Sequence, residues 1–433
     1  MRHLTPFALL LAAAAMPVTA AVVGTTVPPK SLDAAQIRAA LPAGPARATW
    51  LAWLQQSEQA MVLDKAVLEA ERAALRKTGR PIPDPAPEGD SAASAPLDRD
   101  AAWYAGAEAR AVADNIVSFQ TPSGGWGKNQ DRSGPPRVPG QGWIVHDGKG
   151  GPYLAQDGAG GWSFVGTLDN DATITELRFL ARVQAALPGA PGEAYRRSFL
   201  KGVRYVLRAE LPGGGWPQTW PLQGLYHDAL TLNDNLLVNA ATLLQEVGRG
   251  AEPYAFVPAD LRVDSAAAAA RAVDVLLATQ VQVAGQPTIW AQQYDPLTRQ
   301  PIAARNFEPV ALSTGESANV LSFLMRQDRS DPRIARSVEA ATRWFADHAL
   351  TDVAWRDAGE GRGRMLVAEQ GAGPLWARFY DTATGRPIFG DRDLTIHDDV
   401  GEISLERRNG YSWFNTSGTN VARAHERWAA ARP

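Results

Sequence analysis

The 433-residue sequence contains no cysteine. That absence excludes disulfides, thiolate zinc sites, iron–sulfur clusters and a cysteine nucleophile together. Histidine is scarce, with six scattered along the chain, and no HExxH occurs, so a zinc site is not expected. GxSxG and P-loop signatures are also missing. The glycines at 147–161 follow no strand pattern and therefore form no dinucleotide fingerprint. There is no surplus of positive charge: 43 Lys and Arg stand against 46 Asp and Glu, a formal net charge of -3, so nucleic acid is not an expected partner. Phe7 to Met16 is a continuous apolar run. It is shorter than the roughly 20 residues that cross a bilayer, and no other stretch is long and apolar enough to span a membrane. With Arg2 and His3 before it and Val18-Thr19-Ala20 after it, residues 1–20 read as a signal peptide cut after Ala20. A secreted or periplasmic protein with no membrane span is expected.

Apolar residues make up 45% and charged residues 21%, which is enough to bury a sizeable core. Tryptophan is abundant at 14, beside 39 Gly and 31 Pro. Many Trp with many Gly suit aromatic surfaces held on tight loops, as in sugar-binding proteins, and equally suit a large helical core.

Residues 31–78 carry helical patterning, with a Ser31 cap and apolar positions at Trp50, Trp53, Leu54, Met61 and Leu68 in a second stretch from Thr49 to about Lys77. The Pro-rich segment 80–98 predicts a linker or extended arm. From residue 101 a repeat sets in. Helical patterns at Ala101–Val117, Tyr195–Ala209 and Asp264–Gln280 each run into a loop bearing a tryptophan, Trp126, Trp216 or Trp290. A fourth precedes Trp376. Trp290-Ala-x-x-Tyr294-Asp295-x-x-Thr298-x-x-Pro301-Ile302 recurs as Trp376-Ala-x-x-Tyr380-Asp381-x-x-Thr384-x-x-Pro387-Ile388, an agreement too long for chance. The first three loops are followed by polar caps, Thr167-Leu-Asp169-Asn170-Asp, Thr231-Leu-Asn233-Asp234-Asn and Ser313-Thr-Gly-Glu316-Ser, and then by helices ending near Ala185, Val247 and Gln327. The expected fold is all-α: an α/α barrel, or toroid, of three to four helical hairpins with long functional loops on one rim. The domain plan is a signal peptide over 1–20, an N-terminal helical region and Pro-rich linker over 21–100, and an α/α-barrel catalytic domain over 101–433. Gln130 to Gly166 interrupts the first unit, and its Trp143, Tyr153 and Trp162 suit either a lid or sugar platform or an unstructured surface loop.

Asp169, Asp171 and Asp234 stand at helix starts, where N-capping alone explains acids. That reading is preferred for Asp171. For Asp169 and Asp234 a second reading stands beside it, in which two carboxylates on one rim share a hard cation such as calcium. Arg305, Arg378, Arg386, Arg392, Arg407 and Arg408 lie near the later loops. A single arginine there is usually a solvated partner of the adjacent acids. Several beside repeated aromatic loops suit recognition of an acidic sugar, because guanidinium grips carboxylate in a bidentate fork.

Taken in order, Gly-Gly-Trp126-Gly-Lys128-Asn129, Thr167-Leu-Asp169-Asn170-x-Ala-Thr173, Gly-Gly-Trp216-Pro-Gln218, Thr231-Leu-Asn-Asp234, Ala304-Arg305-x-x-Glu308, Ala377-Arg378-Phe-Tyr-Asp-x-x-Thr-Gly-Arg386-Pro-Ile-Phe-x-Asp391-Arg392-Asp and Glu406-Arg-Arg-Asn-Gly-Tyr411 resemble the pectate lyases of polysaccharide lyase family ten. The resemblance covers about residues 101–415. Gly127 stands where the family often has Pro, and Asn306-Phe307 where Ala-Tyr is more usual. The resemblance implies an α/α barrel and calcium-assisted β-elimination of polygalacturonate. It places Arg305 as the base at C5, and Asp169 and Asp234 on calcium. Arg378, Arg392, Lys128, Asn170 and Trp216 then bind substrate. It further implies polygalacturonate or oligogalacturonides as partners, Ca2+ as cofactor and a monomer. A base role for arginine requires nearby positive charge to favour its neutral form. Two other readings are a non-catalytic periplasmic uronate-binding toroid and a glycosidase using Asp169 and Asp234 as acid and base.

Overall fold

The computed structural model describes residues 22–145, 165–359 and 361–431. Residues 1–20, Tyr153 and Trp162 lie outside them. The helices run in order α1 Ala34–Ala40, α2 Pro45–Lys77, α3 Ser91–Ser94, α4 Ala101–Ala105, α5 Ala107–Ser118, α6 Ile174–Ala186, α7 Glu193–Ala209, α8 Leu236–Arg249, α9 Ala259–Thr279, α10 Thr314–Leu324, α11 Pro332–Asp347, α12 Leu405–Gly410 and α13 Ser417–Ala430. From α5 onward they pack in two rows. One row is α5, α7, α9, α11 and the other is α6, α8, α10, α13, each helix touching its neighbour in the row and across it. Apolar spacing drives this: Leu236, Leu237, Ala240, Leu243, Leu244 and Val247 of α8 are all buried.

The four repeat tryptophans explain the periodicity. Trp126, Trp216, Trp290 and Trp376 are 0 to 3% exposed. Each indole N–H donates back to a carbonyl of the preceding long helix: Ile116 at 2.7 Å, Val206 at 2.8 Å, Leu276 at 2.7 Å and Phe345 at 2.8 Å. An indole satisfies its one donor there and spends its whole surface on the core. Gly202 permits this packing, since a Cβ there would lie 2.9 Å from the Trp126 ring. The third and fourth units also match bond for bond. Asp295 Oδ1 accepts from Leu297 N and Thr298 N, and Asp381 Oδ1 accepts from Ala383 N and Thr384 N.

The expectation of an all-α toroid is corrected by the strands. Leu230–Thr231 pairs antiparallel with Gln293–Tyr294, Leu312–Ser313 with Phe379–Tyr380, and Trp376–Ala377 with Phe414–Asn415. A bridge joins Thr167 to Thr219. The cap of one unit is thus stitched to the Trp loop of the next. Val353–Asp357 and Arg364–Ala368 form a hairpin, and Val22–Thr25, Thr395–His397 and Phe389–Gly390 form a three-stranded sheet. The fold is mixed helix and strand. Two-residue strands are too short to carry the alternation by which strands are recognised in sequence.

Other boundaries shift for local reasons. Asp33, not Ser31, caps α1, accepting from Gln36 N, while Ser31 Oγ accepts from Leu225 N at 2.9 Å. The Pro-rich arm contains one helical turn, Ser91–Ser94, capped by Asp90. The N-terminal region is bonded to the rest of the chain at several points: Trp53 Nε1 donates to Arg208 O at 2.9 Å, Ser123 N to Asp64 Oδ1 at 2.9 Å, and Leu32 N to Asp228 Oδ2 at 2.9 Å.

Burial raises the carboxyls of Asp64 and Asp228 to about 6, against the hydrogen bonds they accept. Between pH 4 and 6 the folded chain therefore holds protons that the unfolded chain has lost, so stability should fall as pH rises through that window and level off above it. Denaturant melts at successive pH values should show this slope. Asp64→Asn and Asp228→Asn should each flatten it.

Candidate active site

Sequence sets the first two caps locally. Asn and Asp tolerate left-handed backbone better than other side chains with a Cβ, and Asn170, Asp171, Asp234 and Asn235 adopt φ of 48°, 59°, 51° and 61°. Thr173 also has φ 66°, a strained choice for a β-branched residue. Its hydroxyl compensates by accepting from Trp126 N at 3.1 Å and donating to Thr167 O at 2.8 Å. These turns aim the acids away from the helix starts, and neither α6 nor α8 has a side-chain cap. N-capping is thus not what Asp169, Asp171 or Asp234 does. Asp171 instead takes a hydrogen bond from Asn239 Nδ2.

Asp169 is 2% exposed and pairs with the Lys128 ammonium. Burial opposes its charge, but Lys128 prevails and keeps its carboxyl below the usual range. Burial, together with the neighbouring Asp169 charge, raises the Asp234 carboxyl well above its ordinary range. Glu316, from the third cap, also acts on Asp234. The three caps therefore send one acid each toward one place. Asn170 is exposed, its amide donating to Asn129 Oδ1 at 3.0 Å.

Arg378 connects this acidic group to an arginine array. Its Nη2 donates to Glu316 Oε1 at 3.2 Å, and its guanidinium lies 4.7 Å from the Tyr411 ring centre. Arg305 lies 5.7 Å from the same ring and 4.8 Å from Phe307. Its Nε and Nη2 grip Glu308 at 2.8 and 2.5 Å, leaving Nη1 turned away from that carboxylate. Tyr411 Oη donates to Glu308 Oε1 at 2.5 Å. Arg392 and Arg407 lie over Phe307 at 5.4 and 4.4 Å. Burial lowers the Arg305 pKa, but Glu308 outweighs it and leaves the guanidinium above its ordinary value, while Glu308 is held at about 2. In the protein alone, then, the surroundings favour charged Arg305. The expectation that neighbouring cations favour its neutral form does not describe this state.

Of the residues singled out in the sequence, Lys128, Asp169, Asn170, Asp234, Arg305, Arg378 and Arg392 fall on this one track. Trp216 does not, since its ring is fully buried and its N–H is spent on Val206. Trp216→Ala should cost about 3–5 kcal/mol of stability, read as a shift of the urea midpoint. A sugar platform would instead raise KM at unchanged stability. Trp143 is likewise buried, with the Arg137 guanidinium 4.5 Å from its ring. Sequence reasoning missed Glu308, Glu316, Glu406, Phe307 and Tyr411 as site residues. The parallel caps Thr167-Leu-Asp-Asn, Thr231-Leu-Asn-Asp and Ser313-Thr-Gly-Glu carried the signal for Glu316.

His227 is the histidine whose electrostatics reach Lys128 and Asp169. Burial lowers it to about 4 and leaves it 0% exposed, so its ring has no access to a ligand. Among the described residues no group of three or more His, Asp or Glu is arranged to hold a metal.

A buried acid pair that continues into an array of arginines is a set of groups suited to an anionic ligand. The sequence model of the pectic acid lyase family matches residues 120–422. A family 10 polysaccharide lyase from Cellvibrio cellulosa is 31% identical, with a TM-score of 0.62 over 78% of this chain and 97% of its own. An aspartate-to-alanine mutant of a family 10 polysaccharide lyase from the same organism, in complex with trigalacturonic acid, is 30% identical with the same TM-score over 77% of this chain and 98% of its own. No curated protein matches the chain. The protein is a polysaccharide lyase. It belongs to the pectic acid lyase family.

Proposed function

We propose that the protein is an exported, monomeric, calcium-dependent pectate lyase that cleaves polygalacturonate by β-elimination. The observation that carries this reading is the single track from the Asp169–Asp234 pair through Arg378 to Arg305 and Arg392. The solved relative's trigalacturonic acid complex supports oligogalacturonide as the ligand. Among the described residues no helix is long and apolar enough to cross a membrane, and the apolar start of the chain supports export.

In the reaction the C5 proton is removed, its bonding electrons form the C4=C5 double bond, and the C4–O bond breaks. The departing chain takes a proton as its new hydroxyl, and the other fragment is a 4,5-unsaturated oligogalacturonide. The C5 proton is barely acidic because it lies beside a carboxylate, so positive charge on that carboxylate is the main requirement. Arg378 and Arg392 supply part of it. Arg305, with Nη1 directed away from Glu308, takes the C5 proton. Since Glu308 favours its charged form, this role depends on the cations gathered with the substrate, Arg378 foremost among the side chains.

The residues fit a calcium ion. Asp169 Oδ1 is buried without a hydrogen bond from the described residues, and burial and the Asp169 charge raise the Asp234 carboxyl, a cost that a bound cation would relieve. Asp169, Asp234 and Asn170 would hold the ion, which would add its charge to the substrate carboxylate. Calcium takes about six to eight oxygens, so sugar oxygens would complete the set.

Absorbance of the unsaturated uronide, followed on polygalacturonate with calcium and with chelator, tests the reading. Asp169→Asn should need about tenfold more calcium, or more than that, for half-maximal rate, because affinity follows the charge of the ligand set. A wild-type rate indifferent to chelator would sink the calcium assignment.

A further inference from the structure

Glu406 differs from the other acids of the arginine array. Glu308 and Glu316 have side chains 3% and 7% exposed and cannot leave their partners without stranding a buried charge. The Glu406 side chain is 56% exposed. Yet its one carboxylate accepts from Arg392 Nε and Nη2 at 2.7 and 2.9 Å, and from Arg407 Nε and Nη2 at 3.0 and 2.8 Å. Both guanidiniums lie over the same Phe307 ring. Ser404 presents Glu406 from the first turn of α12, its Oγ donating to Asp391 Oδ1 at 2.7 Å.

A planar carboxylate held in two guanidinium forks above an aromatic ring is the arrangement a uronate would take there. We propose that Glu406 is a built-in competitor, filling an outer carboxylate subsite made by Arg392, Arg407 and Phe307 until a galacturonate carboxylate displaces it. This rests on the pectate reading above. Leaving breaks the four charge-assisted hydrogen bonds of Glu406 but strands no buried acid, because it moves into water from an already exposed place. The two arginines exchange one anion for another, so the net gain in affinity is small. A neutral sugar or ester has no charge with which to displace Glu406. The subsite is therefore a filter that opens to an anion, contributing selectivity more than affinity.

The test is calorimetric binding of trigalacturonate, at fixed calcium, to the wild-type protein and to Glu406→Gln, Glu406→Ala and Glu406→Asp. Removing the competing charge should tighten binding by about tenfold at low ionic strength for both the Gln and Ala variants, with the gain fading as salt screens the site. Glu406→Asp, which restores the charge, should return affinity toward the wild-type value. A carboxylate that only positions Arg392 would give weaker binding on removal. Unchanged or weaker binding in both neutral variants overturns the competitor role. A wild-type protein that neither binds nor cleaves oligogalacturonide overturns the pectate reading itself, which keeps the two failures distinct.

Discussion

Replacing Arg305 by lysine should lower turnover of polygalacturonate by about a thousandfold or more, the scale of a lost proton-transfer group, while the unfolding midpoint stays near that of the wild type. Lysine keeps the positive charge, so buried Glu308 is not left unpaired, and the penalty of about 3–5 kcal/mol for breaking a buried pair is avoided. What lysine cannot keep is the fork. Two guanidinium nitrogens are anchored on Glu308, and that anchorage sets the direction of the third. A lysine ammonium has a single nitrogen, and pairing it with Glu308 removes it from the substrate side. Initial rates of unsaturated-product formation, paired with urea melts, check both halves. A variant keeping a large share of the wild-type rate would place the base elsewhere.

Unesterified polygalacturonate should exceed highly methyl-esterified pectin by roughly two to four powers of ten in kcat/KM. In this reading Arg378 and Arg392 each meet a substrate carboxylate, and the cation takes carboxylate oxygens from the sugar as well as from Asp169. Methylation loses charge-assisted bonds of about 1.5–3 kcal/mol each. Two such losses give that factor at about 1.36 kcal/mol per tenfold. The esterified sugar has the more acidic C5 proton, which pushes the other way. Binding outweighs that gain because several contacts are at stake at once. Matched polymers differing only in methylation, assayed at fixed calcium, decide the question. Equal or higher efficiency on the methylated polymer would remove both the calcium role and the arginine assignment.

How far the site could be read in advance depends on where each residue's function is written. Arg305, Arg378 and Arg392 stand in loop motifs whose residue types already name their chemistry, since guanidinium is suited to carboxylate wherever it is exposed. Trp216 misled for the opposite reason. A tryptophan on a Gly-rich loop has the same sequence signature whether its ring faces a sugar or the core, and only the path of the chain aims the indole at Val206. Glu308 looked like a solvated partner of Arg305. It is buried to 2% and bonded by Tyr411, about a hundred residues further on, which makes it the group that fixes the guanidinium.

Sequence alone determined the helices that flank the first three tryptophan loops, and the repeat. Apolar spacing of 3.6 residues and a recurring tryptophan are local patterns, and each helix needs only its own face to declare itself. The left-handed turns at Asn170 and Asp234 were also written locally, in the backbone preference of Asn and Asp. The stitching strands were decided by tertiary structure, because pairs such as Leu230–Thr231 with Gln293–Tyr294 gain their hydrogen bonds only after the units have docked. The same docking set the Asp169 charge against Asp234 in a buried place and raised the latter's carboxyl. Charge interactions of this strength need closeness and exclusion of water together, and neither is a property of a residue's position along the chain.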